Sequence, residues 1–227
     1  MSHRLPLRDR VEAGRLLAAA LMPLQGQPDV LVLALPRGGL PVAAEIARAL
    51  HARLDLLLVR KLGVPGNEEL AMGAIASGGV QVLNDHVVQY LDVPRHAIEE
   101  VARRERVELQ RRDHLYRGLR PVPVLRGQRV IIVDDGLATG ATMRAAIQAV
   151  RQQMPSEIII AIPVGAQESV ATVARLVDKV VCLFTPEPFS SIGQWYEEFG
   201  QVSDEEVQAL LRQAWAQEPG KAGHRGA

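Results

Sequence analysis

The chain has 227 residues, 48% of them hydrophobic and 23% charged, with 26 basic residues balanced by 26 acidic ones. That composition excludes a disordered or fibrous chain, and the length suits a single large domain. Zero net charge argues against a protein built to coat nucleic acid, and no apolar run approaches the roughly 20 residues needed to span a bilayer. The single Cys182 permits no internal disulfide and no cysteine-rich zinc site.

Near the N-terminus Val11, Leu16, Leu17, Ala20 and Leu21 recur at helical spacing, predicting an amphipathic helix from about Asp9 to Met22 rather than a secretory signal. Without a signal or a disulfide, the default compartment is the cytoplasm. Five short apolar runs follow as candidate strands: Val30–Leu35, Leu54–Val59, Val130–Val133, Ile158–Ile162 and Val180–Phe184. Their continuous rather than alternating character predicts strands covered on both faces. Helical segments at Pro41–His51, Thr139–Met154 and Gln167–Leu176 lie between most of them. Such alternation predicts an α/β fold with a doubly wound, mostly parallel five-stranded sheet.

The pattern breaks between Val59 and Val130. Ala71–Ala76 and Val80–Leu83 flank Ser77-Gly78-Gly79 and read as a hairpin. After Pro94 a charged segment to about Arg117 carries a thin apolar stripe of Ile98, Val101, Ala102, Leu109 and Leu115, which predicts a long helix packed on one narrow side. One domain over residues 1–218 is expected, with an insertion at about 63–120 and a polar, disordered tail over 219–227.

The most informative stretch is Val130–Thr142, VIIVDDGLATGAT. In open α/β sheets ligands bind beyond the carboxyl ends of strands, and a turn into a helix offers N–H groups to a phosphate. Asp134 and Asp135 repel a bare phosphate, so they suit another part of the ligand; vicinal hydroxyls are the natural donors for adjacent carboxylates. Ala141 stands where a P-loop requires Lys, and no Gly-x-Gly-x-x-Gly follows a strand. An aspartate-nucleophile phosphatase separates its two acids by one residue, whereas here they are adjacent. Leu35-Pro36-Arg37-Gly38-Gly39 ends the first strand, where two glycines expose N–H groups and Arg37 adds a forked cation suited to phosphate oxygens. Val59-Arg60-Lys61-Leu62-Gly63 is expected to end the second strand with a pair of cations, in a chain with 23 Arg and only 3 Lys. Alternation sends Arg60 and Lys61 to opposite sides, so only one of them is expected to meet an anion.

Together these residues resemble the type I phosphoribosyltransferases, whose phosphoribosyl pyrophosphate (PRPP) motif VIIVDDGLATGAT matches. VRKLG, the Glu-x-Ala-x-Gly-Ala at Glu69–Ala74 and the Pro-x-Pro-Phe at Pro186–Phe189 are similar to one bacterial group of predicted phosphoribosyltransferases of unassigned acceptor. The resemblance implies that Asp134 and Asp135 hold the ribose hydroxyls and that Ala138, Thr139, Gly140, Ala141 and Thr142 cradle the 5′-phosphate. Arg37, Gly38, Gly39 and Lys61 would hold the pyrophosphate, the first loop often through a non-proline cis peptide, leaving Arg60 as a salt-bridge former. Arg37, Lys61, Asp134 and Asp135 become the catalytic candidates. Mg2+ would arrive mainly with PRPP, with Asp134 and Asp135 as its candidate protein ligands. The family also implies a mobile cover within the insertion and a homo-oligomer.

The acceptor would lie against the loop after the last strand, where Phe184, Phe189, Trp195, Tyr196 and Phe199 gather five of the eight aromatic residues. Phe189 is assigned to stack on an acceptor ring, whereas Trp195 and Phe199 are expected to pack. The Lys of hypoxanthine-type enzymes is missing from this segment. Elsewhere no His pair has metal-ligand spacing, no serine-hydrolase elbow occurs, and Cys182 lies within an apolar strand as filler. The expected activity is phosphoribosyl transfer from PRPP to a small-molecule nitrogen acceptor. The rivals are a non-catalytic PRPP- or nucleotide-binding regulator and a hydrolase of phosphoribosyl compounds.

Overall fold

Each apolar run divides its side chains between two cores. Val30, Val32 and Ala34 face one core and Leu31 and Leu33 the other; Ile131 and Val133 likewise oppose Val130 and Ile132. A strand alternates faces residue by residue, so only an unbroken apolar run serves two helical layers. The computed structural model describes residues 5–218, and the tail expected over 219–227 lies outside them.

Helix α1 (Arg10–Leu21) precedes β1 (Val30–Ala34), α2 (Gly39–Leu50) and β2 (Arg53–Leu56). Three strands follow, β3 (Val59–Val64), β4 (Asn67–Ala76) and β5 (Val80–Leu83), then α3 (Asp85–Tyr90) and α4 (Arg95–Arg117). The chain returns through β6 (Arg129–Val133), α5 (Ala141–Arg151), β7 (Glu157–Val164), α6 (Gln167–Ala174), β8 (Lys179–Phe184) and α7 (Asp204–Ala216). The five strands β2-β1-β6-β7-β8 form a parallel sheet in that order. Buried residues of α1, α2 and α7 join the core on one face, and those of α5 and α6 join the core on the other. The doubly wound α/β expectation is met.

The insertion differs from its expected form. The run Leu54–Val59 is two elements: β2 ends at Leu56, and β3 opens a separate antiparallel sheet β3-β4-β5. Leu57 and Leu58 between them remain buried, one in each core, so burial conceals the break. Arg60 and Lys61 therefore lie inside β3 rather than at the end of a strand of the main sheet. The small sheet rests between α4 and α5. Helix α7, which no sequence pattern above suggested, starts with a capping box between Ser203 and Glu206.

Helix α4 is tethered through one buried charge cluster. The Arg117 side chain is fully buried; its Nη2 donates to Asp55 Oδ1 at 2.8 Å and to the Leu56 carbonyl at 2.8 Å. Burial pushes the Asp55 carboxyl up, against the opposing pull of Arg117. Removing one member of such a pair strands the other charge in the core. Asp55→Ala should therefore cost roughly 3–5 kcal/mol of stability, read as a fall in the urea midpoint, whereas Asp55→Leu with Arg117→Met should recover most of it.

Candidate active site

Two loops meet beyond the carboxyl ends of β1 and β6. Strand β6 delivers Asp134 and Asp135, and the loop after β1 carries Arg37, Gly38 and Gly39 with Pro36–Arg37 in the cis form. The glycines permit close packing, and the Gly39 N–H is spent on the Leu35 carbonyl at 3.1 Å. A Cβ on Gly38 would stand 2.0 Å from Asp135 Oδ2, and one on Gly39 would stand 2.6 Å from the Val133 carbonyl oxygen.

The two acids sit in different surroundings. Asp134 is half-buried, and its Oδ1 accepts from the Asp135 N–H at 2.9 Å. Burial, with Asp135 adjacent, holds its carboxyl well above the ordinary range. Asp135 is buried and faces Arg10, whose Nε donates to Oδ2 at 2.9 Å and whose Nη2 stands 2.8 Å from the same oxygen. The Asp135 carbonyl accepts from the Tyr196 hydroxyl at 2.6 Å. Burial, then the nearby Asp135 charge, pushes that hydroxyl's pKa up, so Tyr196 stays a donor at ordinary pH.

Beyond the acids the chain turns through Ala138 and Thr139 into α5. Gly140 is the N-cap at φ 71°, a left-handed conformation that favours glycine. Ala141 and Thr142 open the helix, where the first N–H groups have no intrahelical acceptor. Ala138 and Thr139 are held by their carbonyls, which accept from the Ser169 hydroxyl and from Arg144 Nη1. Ala138–Thr142 therefore has the form of an anion cradle, adjacent to the acids and not overlapping them.

The cations are placed less simply. Arg60 pairs with Glu105 of α4 at 2.6 Å, the salt-bridge alternative weighed for it. Lys61 is half-buried on the opposite face of β3, the face toward α5. Arg37 Nη1 lies 3.4 Å from Asp204 Oδ1 at the start of α7, and the Tyr116 hydroxyl donates to the same oxygen at 2.6 Å. The hydrogen bond from Tyr116, helped by Arg37, holds the Asp204 carboxyl below its ordinary range; burial and Asp204 push the Tyr116 hydroxyl up to about 12.

Phe189 is half-buried against the core and tilts onto Trp195, with ring centroids 6.3 Å apart. It also borders a shallow depression of about 560 Å³ with Gln167, Glu168 and Glu187. Phe199 stacks on Tyr196 at 5.0 Å, matching its expected packing role. Burial raises the Cys182 thiol to about 11, which suits filler and not a nucleophile. Arg10, Tyr196, Tyr116 and Asp204 were not singled out by the sequence reading. Each meets its partner across 61 to 167 positions of chain, and no local motif encodes such pairings.

Comparison with known proteins places this geometry. The phosphoribosyl transferase domain family matches residues 65–186, from the insertion through the Asp134–Thr142 motif to the end of the sheet. The chain belongs to that family. A Mycobacterium tuberculosis protein, provisionally named a phosphoribosyl transferase, is 49% identical over 206 residues. The match covers 91% of this chain but only 46% of that relative, so this chain spans about half the relative's length. The crystal structure of TT1426 from Thermus thermophilus has the same fold at 44% identity, with a TM-score of 0.85 over 92% of this chain and 99% of that one. A Geobacter relative named bifunctional protein PyrR is 33% identical over 124 residues, covering 52% of this chain and 68% of its own. The glycine loop, which precedes the residues matched by the family, depends on its fit to Asp135. Gly38→Ala should force that carboxylate aside and cost roughly 1–3 kcal/mol by overpacking, measurable as a shift in the urea midpoint.

Proposed function

We propose that the chain transfers a 5-phosphoribosyl group from PRPP to a nitrogen acceptor, working in the cytoplasm and releasing pyrophosphate. The observation that carries this reading is the meeting of three groups: the Asp134-Asp135 pair, the Ala138–Thr142 helix start and the Arg37-Gly38-Gly39 loop packed against Asp135. A ligand with a phosphate at one end, vicinal hydroxyls in the middle and a second phosphate group beyond matches that layout. In the reaction the C1–O bond to pyrophosphate breaks with its electron pair leaving on pyrophosphate, the acceptor nitrogen's lone pair forms the C1–N bond, and the acceptor's N–H proton passes to water or to the departing pyrophosphate. The ring carbon becomes cation-like as the bond opens, so the protein has to neutralise the leaving group and exclude water. Lys61 and Arg37 supply the cationic charge in this reading, and Phe189 presents its ring to the acceptor.

Among the described residues no group of three or more His, Cys, Asp or Glu side chains is arranged to hold a metal ion. Two neighbouring carboxylates still suit a hard cation that arrives with its own phosphate oxygens. Asp134 and Asp135 would hold Mg2+ in that way, and the bound ion would neutralise pyrophosphate charge. No described helix is long and apolar enough to cross a membrane.

One observation favours the rival, a PRPP- or nucleotide-binding regulator on the same fold. Arg37 is already engaged by the Asp204 carboxylate. A regulator needs to hold its ligand but not to stabilise a departing pyrophosphate.

Base-dependent release of pyrophosphate from PRPP, screened across nucleobases, separates the two. PRPP with Mg2+ should raise the melting temperature, and Asp134→Asn with Asp135→Asn should abolish most of that shift. No binding of PRPP by calorimetry sinks the enzyme reading and the PRPP-binding regulator, whereas PRPP binding without turnover on any base selects the regulator. For the enzyme, Lys61→Ala should lower turnover far more than it weakens ribose 5-phosphate binding. Phe189→Ala should raise the acceptor's KM by roughly 5- to 150-fold with PRPP affinity nearly unchanged. A large stability loss with an unchanged KM would instead make Phe189 a packing residue, in line with its contact on Trp195.

A further inference from the structure

We propose that Arg10 is a positioning residue for Asp135, so that the N-terminal helix forms part of the ribose site although it is remote in sequence from every motif residue. The proposal rests on the phosphoribosyl reading of the site.

The arrangement around Arg10 is built from both ends of the chain. Residues 7 and 8 pair with the segment after β8. The Leu7 N–H donates to the Trp195 carbonyl, and the Leu7 and Arg8 carbonyls accept from the Glu197 and Glu198 N–H groups, each at 2.8 Å. Asp9 then caps α1 through the Glu12 N–H, which fixes Arg10 as the first helical residue. From there its guanidinium makes three kinds of contact at once. Nη1 donates to the Gly200 carbonyl at 2.8 Å, the Phe199 ring lies 3.9 Å below the guanidinium carbon, and Nε and Nη2 both meet Asp135 Oδ2. The pair is nearly dry, with each side chain only 11% exposed.

Both contacts fall on Oδ2, the oxygen that also faces Gly38. Oδ2 is thereby fixed between the glycine loop and the guanidinium, and Oδ1 is the oxygen oriented for a ribose hydroxyl. A carboxylate held by one rigid fork has few rotamers to lose when ligand arrives, and pre-paid ordering of this kind appears as affinity. The effect should fall mainly on the hydroxyl-bearing part of the ligand, because Arg10 meets the ribose-site carboxylate directly and reaches the glycine loop only through the packing of Asp135 on Gly38.

Calorimetry of the full chain with two probes tests the assignment. Ribose 5-phosphate carries the hydroxyls, and magnesium pyrophosphate does not. Arg10→Met should weaken ribose 5-phosphate by roughly 10- to 100-fold, the scale of one charge-assisted hydrogen bond, and leave pyrophosphate within about 2-fold. Arg10→Lys should restore part of the loss, since it keeps the charge without the fork. In an Asp135→Asn background Arg10→Met should add almost nothing, because the two residues act as a unit. Should Arg10→Met fail to fold, Phe199→Leu supplies the second variant; it removes the supporting ring and should weaken ribose 5-phosphate alone by roughly 2- to 5-fold. Equal weakening of both probes would make Arg10 merely structural and overturn the proposal, as would unchanged ribose 5-phosphate binding. A parent protein that binds Mg2+ and PRPP while Arg10→Met behaves identically defeats the Arg10 assignment alone. A parent that binds neither probe defeats the phosphoribosyl reading and this one together.

Discussion

The carboxylate of Asp135 is the tightest point of the molecule. It lies against the backbone of Gly38, so closely that a single added carbon would stand 2.0 Å from Oδ2, and it is held on its other side by Arg10. Its own carbonyl accepts from Tyr196, and its turn closes over Ile192, whose methyl would meet a Cβ on Gly136 at 2.5 Å. Four separate parts of the chain are fixed by this one residue: the loop after β1, the start of α1, the turn after β6 and the segment after β8. The positions of the glycine loop and the helix start relative to each other follow from those contacts.

The parallel sheet supplies the rigidity on which this junction depends. Strands β1 and β6 are neighbours in register from Val30↔Arg129 to Ala34↔Val133, so the two loops that leave their carboxyl ends begin side by side. Buried aliphatic residues on both faces hold that register, because a slip by one residue would exchange the two cores. The small sheet and α4 stand outside this arrangement. They are tied to it by Arg117 on Asp55 and Leu56 and by buried apolar residues such as Leu62, Met72 and Ile98, while Arg60 on Glu105 joins the small sheet to α4.

Much of the sheet was legible in the sequence because its signal is local. Unbroken runs such as Val130–Val133 need no knowledge of distant residues, and the helix after Pro94 was bounded by Pro94 and by Pro121 and Pro123, with Gly118 its C-cap in the structure. The break after Leu56 was not legible, because Leu57 and Leu58 are buried whichever sheet they serve. Helix α7 escaped for a different reason. Its core-facing residues, Val207 and Leu211, form a stripe too thin to stand out among acidic neighbours. In the site, the Asp134–Thr142 and Arg37–Gly39 motifs were readable because loop chemistry is encoded by adjacent residues. Arg10 and Tyr196 were not, since an ordinary Arg at a helix start and a Tyr among other aromatics acquire a role only through the fold.

The same distinction bears on Arg37. Sequence places a cation in a phosphate-binding loop, and the fold gives that cation a carboxylate partner, Asp204, which is also gripped by Tyr116. The pair is over a third exposed on both sides, so water screens it and its net contribution to stability is small. A dianionic or trianionic phosphate group presents more charge than one carboxylate already committed to a tyrosine. On the proposed reading, transfer of the guanidinium from Asp204 to a bound pyrophosphate would therefore cost little, and Asp204 would keep its Tyr116 hydrogen bond. Asp204, shared by Tyr116 and Arg37, thus ties α4 and α7 to the glycine loop through an ion pair weak enough not to compete strongly for the Arg37 charge.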